Sequence, residues 1–283
     1  MICLWNINKG GVSMEKDLLY KEDNLVEVEG LKTNTILDKF YFKTVLQNDR
    51  AVYQSLDGIP KQAILHLVGT NGTGKSLLAA NVAANLIQNK KVLYINTEVI
   101  GDMIFSKIYE RCNILGLEFK RDNLFIIDLV RNNEALYEPD KLLNYLKEKK
   151  IIHQIDFVII DSITAFYEGL ENVAKKIVRK IYNFFKVWRK TGIFISQKRS
   201  SHEENTSEAA GGYGVAHILD STIVLVKKII SNKWEAEDYG VNRGKMIRLI
   251  RVDDCRVCAH INKEILFEIT IEGEFKIVKE KER

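Results

Sequence analysis

Proline is almost absent, with two in 283 residues, and cysteine is scarce, with four. Four cysteines in a chain of this length make no disulfide framework, which excludes a small stapled secreted fold and points to a reducing, cytoplasmic compartment. No apolar run approaches the ~18 residues that a spanning helix needs, so no membrane partner is expected. Residues 1–11 lack the cationic start, long apolar stretch and small-residue close of a secretory leader, and Met14 is as good an initiator as Met1. Charge of one sign is missing too: 42 Lys and Arg against 38 Asp and Glu leave a net +4. A nucleic-acid binder usually concentrates its cations in a stripe. What remains is an ordinary globular composition, 46% hydrophobic and 28% charged, with chain enough for one α/β domain and appendages.

Residues 69–76 read Gly-Thr-Asn-Gly-Thr-Gly-Lys-Ser, a complete phosphate-binding loop of the form G-x-x-x-x-G-K-[ST]. The apolar run 63–68 before it predicts a buried strand, and the chain from Leu77 predicts a helix. Gly69, Gly72 and Gly74 let the backbone present N–H groups to a polyphosphate, with Thr70, Asn71 and Thr73 filling the turn. Lys75 is placed to reach the β- and γ-phosphates and Ser76 to ligate Mg²⁺. ATP with Mg²⁺ is the expected ligand pair.

From residue 63 onward, predicted strands (63–68, 91–96, 124–128, 156–161 and 192–196) alternate with helices, which implies a mostly parallel sheet with helices on both faces. A helix over 76–88 is apolar almost all round and so should be covered on several sides. A second, over 171–190, carries Val173, Ile177, Ile181, Phe184 and Trp188 at helical spacing, a stripe expected to face the sheet. Residues 198–214 are polar and read as a loop. Strand-like segments at 221–228, 245–252, 264–270 and 274–278, joined by short turns, predict an antiparallel meander extending the same sheet, with a charged tail at 279–283. Residues 1–57 read as an extension, a strand or two and a helix, packed on a core of 58–283.

The apolar strand 157–160 ends in Asp161, which puts a carboxylate at the sheet's carboxyl end, where open α/β sheets bind ligands. There it would hold Mg²⁺ or a water bound to it; alternatively it caps a following helix. Glu98 ends the second strand at the same edge, as a base or water-orienting group for hydrolysis or as a first-turn helix residue favoured by the dipole. Gln197 ends the fifth strand and could report the γ-phosphate to the loop behind it.

These segments together resemble the RecA superfamily, and most closely the KaiC-like and archaeal RadA-like (RadB-like) ATPases. The resemblance spans about residues 58–270 and rests on 69–76, Thr97-Glu98, Ile160 to Thr164, Phe194 to Gln197, Gly211-Gly212 and 216–228 (AHILDSTIVLVKK). Asp57-Gly58-Ile59-Pro60 is similar to the family's lead-in, although Gln62 stands where a glycine is usual. Thr33–Asp38 only loosely matches the threonine-to-Leu-Asp lead-in, and about twenty residues separate it from Pro60, as an insertion would. The resemblance implies a RecA-like fold and a weak, Mg²⁺-dependent ATPase working as a nucleotide-dependent switch. Two alternatives stand beside it: a RadA/RadB-like accessory ATPase of DNA recombination or repair, or a protein that keeps ATP as a structural ligand without hydrolysing it. The resemblance also implies a homo-oligomer, a ring such as a hexamer, with ATP between subunits. Arg256 and His260 keep the spacing of the KaiC-type K-x-R-x-x-x-H motif, whose lysine and arginine reach a neighbour's γ-phosphate. Asp254 replaces that lysine, and a carboxylate near phosphate repels rather than neutralises it.

Three signals stand apart. Cys255-x-x-Cys258 with His260 looks like a zinc half-site but lacks the remaining ligands of a structural site. Seven cations on the 171–190 helix fit a nucleic acid or acidic partner, or a solvated face. Loop 198–214 occupies the place of a recombinase DNA-binding loop, yet Glu203, Glu204 and Glu208 offset Lys198, Arg199 and His202. DNA is therefore not indicated, and a protein partner is as good a fit.

Overall fold

The computed structural model describes residues 27–48, 50–132, 134–197, 215 and 217–278. The expectations for 1–26, for most of 198–216 and for the tail at 279–283 fall outside these residues.

Among the described residues, four strands precede the central sheet's first strand: β1 (Gly30–Leu31), β2 (Tyr41–Gln47), β3 (Arg50–Ser55) and β4 (Ile59–Pro60). β1 pairs with β4, and β2 with β3 as an antiparallel hairpin that accounts for the extra length before Pro60. The described part of this region also holds a 3₁₀ turn, Ile36–Lys39. The Asp38 carboxylate ties that turn, accepting from the Thr33 N–H (2.9 Å), the Thr33 hydroxyl (2.6 Å) and the Asn34 N–H (2.7 Å). So the loosely matching Thr33–Asp38 segment has a physical purpose. It drops Ile36, Leu37, Phe40 and Tyr41 into the core cluster that also holds the helix after the loop.

The central sheet is built from β5 (Ile64–Gly69), β6 (Val92–Asn96), β7 (Leu124–Asp128), β8 (Phe157–Asp161), β9 (Thr191–Gln197), β10 (Ser221–Ile229), β11 (Met246–Cys255), β13 (Ile265–Ile269) and β14 (Phe275–Ile277). β12 (Ala259–His260) leaves it to pair with β2. Among the described residues its order is 14-13-11-10-5-9-8-6-7. The run from β10 to β7 is parallel, and β10, β11, β13 and β14 join antiparallel. Strands β5, β6 and β8 are buried at every position, because helices cover both faces.

The flanking helices are α1 (Lys75–Leu86), α2 (Gly101–Ile114), α3 (Leu129–Asn132), α4 (Pro139–Glu148), α5 (Ile151–Gln154) and α6 (Ala174–Val187). α1 buries most of its residues, as its apolar composition requires. α6 carries most of the expected stripe into the core: Ile181 and Phe184 are buried, and Ile177 and Trp188 pack against the same cluster. Its buried line is Ala174, Val178, Ile181 and Phe185 with Phe184, while Val173 is exposed and belongs to a preceding 3₁₀ turn. A short helix, α7 (Lys233–Tyr239), stands where a short turn was expected between β10 and β11. Its signals were present: the Asn232 side chain accepts from the Glu235 N–H (2.9 Å), and Gly240 closes the helix at φ +62°.

Gln62 adopts φ +58°, the left-handed region that favours glycine. Its backbone N–H donates to Thr191 Oγ1 at 2.8 Å, which holds it there. Gln62→Gly relieves the strain at some cost in unfolded-chain freedom, and is expected to raise stability by roughly 0.5 kcal/mol in urea unfolding. A loss of stability would show that the side chain outweighs the backbone.

Candidate functional site

β5 ends at Gly69 and α1 begins at Lys75, so the loop spans the mouth of the central sheet. Gly69 is required by close approach: a Cβ there would meet the Leu225 carbonyl oxygen at 2.5 Å. Gly74 is required twice, by φ +103° and by Ile269 Cδ1 at 2.7 Å from where its Cβ would stand. The Thr73 hydroxyl donates to the Thr70 carbonyl (2.9 Å), fixing the turn. Lys75 curls beneath it, its Nζ donating to the carbonyls of Gly69 (2.8 Å) and Thr70 (3.0 Å). Burial lowers the Lys75 pKa, while Asp161 and Glu98 favour its charged form.

Asp161 ends β8 and is buried. Its Oδ2 accepts from the Tyr94 hydroxyl at 2.8 Å, and Ser76 lines the same cleft. Oδ1 is buried with no hydrogen-bond partner. Burial raises the Asp161 pKa, the Tyr94 bond opposes this, and the Glu98 charge raises it further. The helix-cap alternative fails, since the 3₁₀ turn that follows has Ser162 at its N-cap and Asp161 Oδ2 is turned to Tyr94. Thr97 locks the tips of β6 and β8 together: its hydroxyl accepts from the Ser162 N–H (2.8 Å), and its own N–H donates to the Asp161 carbonyl (2.9 Å).

Glu98 precedes α2, whose N-cap is Ile100, so the first-turn alternative fails as well. The Gln197 amide donates to Glu98 Oε1 at 2.7 Å, joining the ends of β6 and β9. Lys75, Ser76, Glu98, Asp161 and Gln197 line one cleft of about 320 Å³ together with the loop. Lys107 lines it too, and sequence reading missed it. Its signal was a lysine four residues before buried Arg111 and three after buried Ile104, on the inward face of α2. Burial lowers its pKa, and Asp161 pulls it back up. Tyr94 was missed because its position reads simply as core. Arg256 lies elsewhere, its guanidinium donating to the His217 carbonyl. A larger cleft of about 720 Å³ lies between Asn34–Lys39, α1 and β14, but it gathers asparagines and a Glu274–Lys276 ion pair rather than the loop and its carboxylates. Among the described residues no cluster of three or more His, Cys, Asp or Glu could hold a metal by itself, and no helix is long and apolar enough to cross a membrane.

The donor set suits a magnesium–triphosphate. A serine hydroxyl and an unpaired buried carboxylate oxygen are hard ligands of the kind Mg²⁺ prefers, and the backbone turn and Lys75 suit phosphate oxygens.

Beneath the loop, His66 of β5 is fully buried, with Nε2 against Ser196 Oγ and Nδ1 without a partner. Burial lowers its pKa from 6.5 to about 4. The folded protein therefore resists protonation that the unfolded chain accepts, and stability falls as pH drops from 6.5 towards 4, by roughly 3 kcal/mol at full extent. His66→Gln is expected to flatten the acid limb of the Tm–pH profile; an unchanged limb would assign acid sensitivity to other groups.

A parallel sheet with an antiparallel extension, crossed by this loop and the acidic strand tips, defines a RecA-superfamily P-loop ATPase. Comparison with known proteins narrows the class. The family model described as "ATPase: KaiC" matches residues 32–282, and the chain belongs to that family. A curated relative, the archaeal flagellar ATP-binding protein FlaH of Sulfolobus acidocaldarius, is 34% identical over 116 residues, 38% of this chain and 49% of the relative. The DNA repair and recombination protein RadB of Archaeoglobus fulgidus is 29% identical over 124 residues, 42% and 50%. The chain thus spans about half the length of the curated relatives it matches. A KaiC-like protein from Pyrococcus horikoshii OT3 shares the fold at a TM-score of 0.65 and 16% identity, over 89% of this chain and all of that one.

Proposed function

We propose that the chain binds ATP with Mg²⁺ in the 320 Å³ cleft and hydrolyses it slowly, as a nucleotide-dependent switch in a homo-oligomer. The observation that carries this reading is the convergence of Lys75, Ser76, Asp161 and Glu98 on one cleft. Backbone N–H groups of the loop and Lys75 hold the phosphates, and Ser76 with Asp161 hold the cation. Bound there, Mg²⁺ would offset phosphate charge during transfer. Glu98 orients the attacking water and takes its proton. Gln197 bonds to Glu98 and leads directly into 198–214, so a change at the γ-phosphate reaches a segment proposed to meet a protein partner. Turnover is slow because Gln197 occupies one Glu98 oxygen, and because Asp254 stands where a second trans-acting cation would be. Arg256, remote from its own chain's cleft, is assigned to a neighbouring subunit's ATP in a ring, in a cytoplasmic setting.

The likeness to a DNA repair and recombination protein supports a second reading, an accessory ATPase acting on DNA. Phosphate release and light scattering, each with and without Mg²⁺ and single-stranded DNA, separate the two. The switch reading expects Mg²⁺-dependent release, growth in particle size with ATP, and no response to DNA. A several-fold, salt-sensitive rise in turnover with DNA would replace it by the second. Absence of ATP uptake would overturn both.

A further inference from the structure

Cys255 ends β11 and Cys258 immediately precedes β12, so the two face each other across a tight turn. Their sulfurs are 3.5 Å apart, and both side chains are half-buried. We propose that Cys255 and Cys258 form a thiol–disulfide exchange site, which low-molecular-weight disulfides convert reversibly to an internal disulfide.

The geometry is close to the product. A disulfide needs sulfurs at about 2.05 Å, so side-chain rotation within the turn has only about 1.5 Å to close. The two thiols are not equivalent. The contact with the Cys258 thiol favours the thiolate on Cys255 and holds its pKa below the ordinary thiol value, against the opposing effect of burial. The same interaction, with burial, holds the proton on Cys258. Cys255 is therefore the attacking group and Cys258 the resolving one. The Cys255 thiolate attacks one sulfur of the external disulfide, whose S–S bond breaks and releases one thiolate. Cys258 then loses its proton to solvent and attacks Cys255 Sγ, expelling the second thiolate. Two protein thiols are oxidised and one external disulfide is reduced to two thiols. In a reducing compartment such a bridge is transient rather than structural.

Neighbouring chemistry offers no competing use for the pair. The His260 ring nitrogen Nδ1 lies 3.1 Å from the Ile261 carbonyl, and no third ligand makes a metal cluster among the described residues. Cys112 is buried beside the Ala84 carbonyl, and burial raises its pKa, which leaves it inert. The turn also carries Arg256, whose N–H donates to the Asp220 carbonyl (2.8 Å) and whose guanidinium donates to the His217 carbonyl, so the bridge would tie the chain on both sides of that arginine.

The test treats full-length protein, Cys258→Ser and Cys255→Ser with oxidised glutathione at neutral pH and reads intact mass and tryptic peptides. Cleavage after Arg256 separates the two cysteines, so a bridge appears as two peptides joined by a disulfide and reversed by reductant. The unsubstituted protein is expected to yield the two peptides joined by a disulfide, two hydrogens lighter than the free pair, with no glutathione on either cysteine. Cys258→Ser should trap glutathione on Cys255, and Cys255→Ser should give neither product at this turn. Free thiols at both positions in the unsubstituted protein, a stable adduct in place of the bridge, or an unmodified Cys255 in Cys258→Ser would each overturn the proposal. The outcome does not depend on ATP binding, so it stands or falls apart from the proposed ATPase.

Discussion

Lys75→Ala is expected to abolish ATP turnover and weaken ATP binding roughly a hundredfold. Charge-assisted hydrogen bonds to phosphate contribute about 1.5–3 kcal/mol each, and the substitution removes the side chain placed to make them. The fold should survive, because the glycines that shape the loop answer to Leu225 and Ile269 rather than to Lys75. The two bonds lost in the structure go to the carbonyls of Gly69 and Thr70, at the loop itself. Titration with a fluorescent nucleotide, paired with circular dichroism, checks both halves. Undiminished affinity in a folded variant would mean that phosphates bind somewhere other than this turn.

Glu98→Gln separates binding from chemistry. Glutamine keeps the size of the side chain and an oxygen to accept from Gln197, so the tie between β6 and β9 persists. What it loses is the capacity to take a proton from water, and a positioned general base is worth about 10²–10⁴ in rate. Turnover should fall by that order while ATP affinity stays within a few-fold. Equal turnover in the two proteins would remove Glu98 from the reaction and leave water activation to another group.

The parallel strands were legible because buried strands read as unbroken apolar runs ending in polar residues, as at Asp161 and Gln197. The loop was legible because its glycines answer to sterics that few other sequences meet. Where sequence reading failed, a local rule left two outcomes open. Val173 and Val178 satisfy the same helical spacing, and only the sheet selects between them. Asn232 and Gly240 bracket a helix so short that it passed for a turn. Lys107 drew no notice in the sequence, since its direction into the cleft depends on how α2 packs against the core. Glu98 and Asp161 each had a capping alternative that fell only when the start of the next element was known.

The C-terminal hairpin has a consequence beyond widening the sheet. Ile269 and Phe275 stand against Gly74, the Asn81 amide donates to the Gly273 carbonyl (2.9 Å), and Arg111 joins Asn81 (2.6 Å) to the Glu272 carbonyl. The far end of the polypeptide thus props the phosphate cradle from behind. A chain cut after His260 would keep every residue of the nucleotide motif and lose the wall it leans on. The phosphate loop and the last strands of the sheet are therefore one packed unit, since a side chain at Gly74 would collide with Ile269.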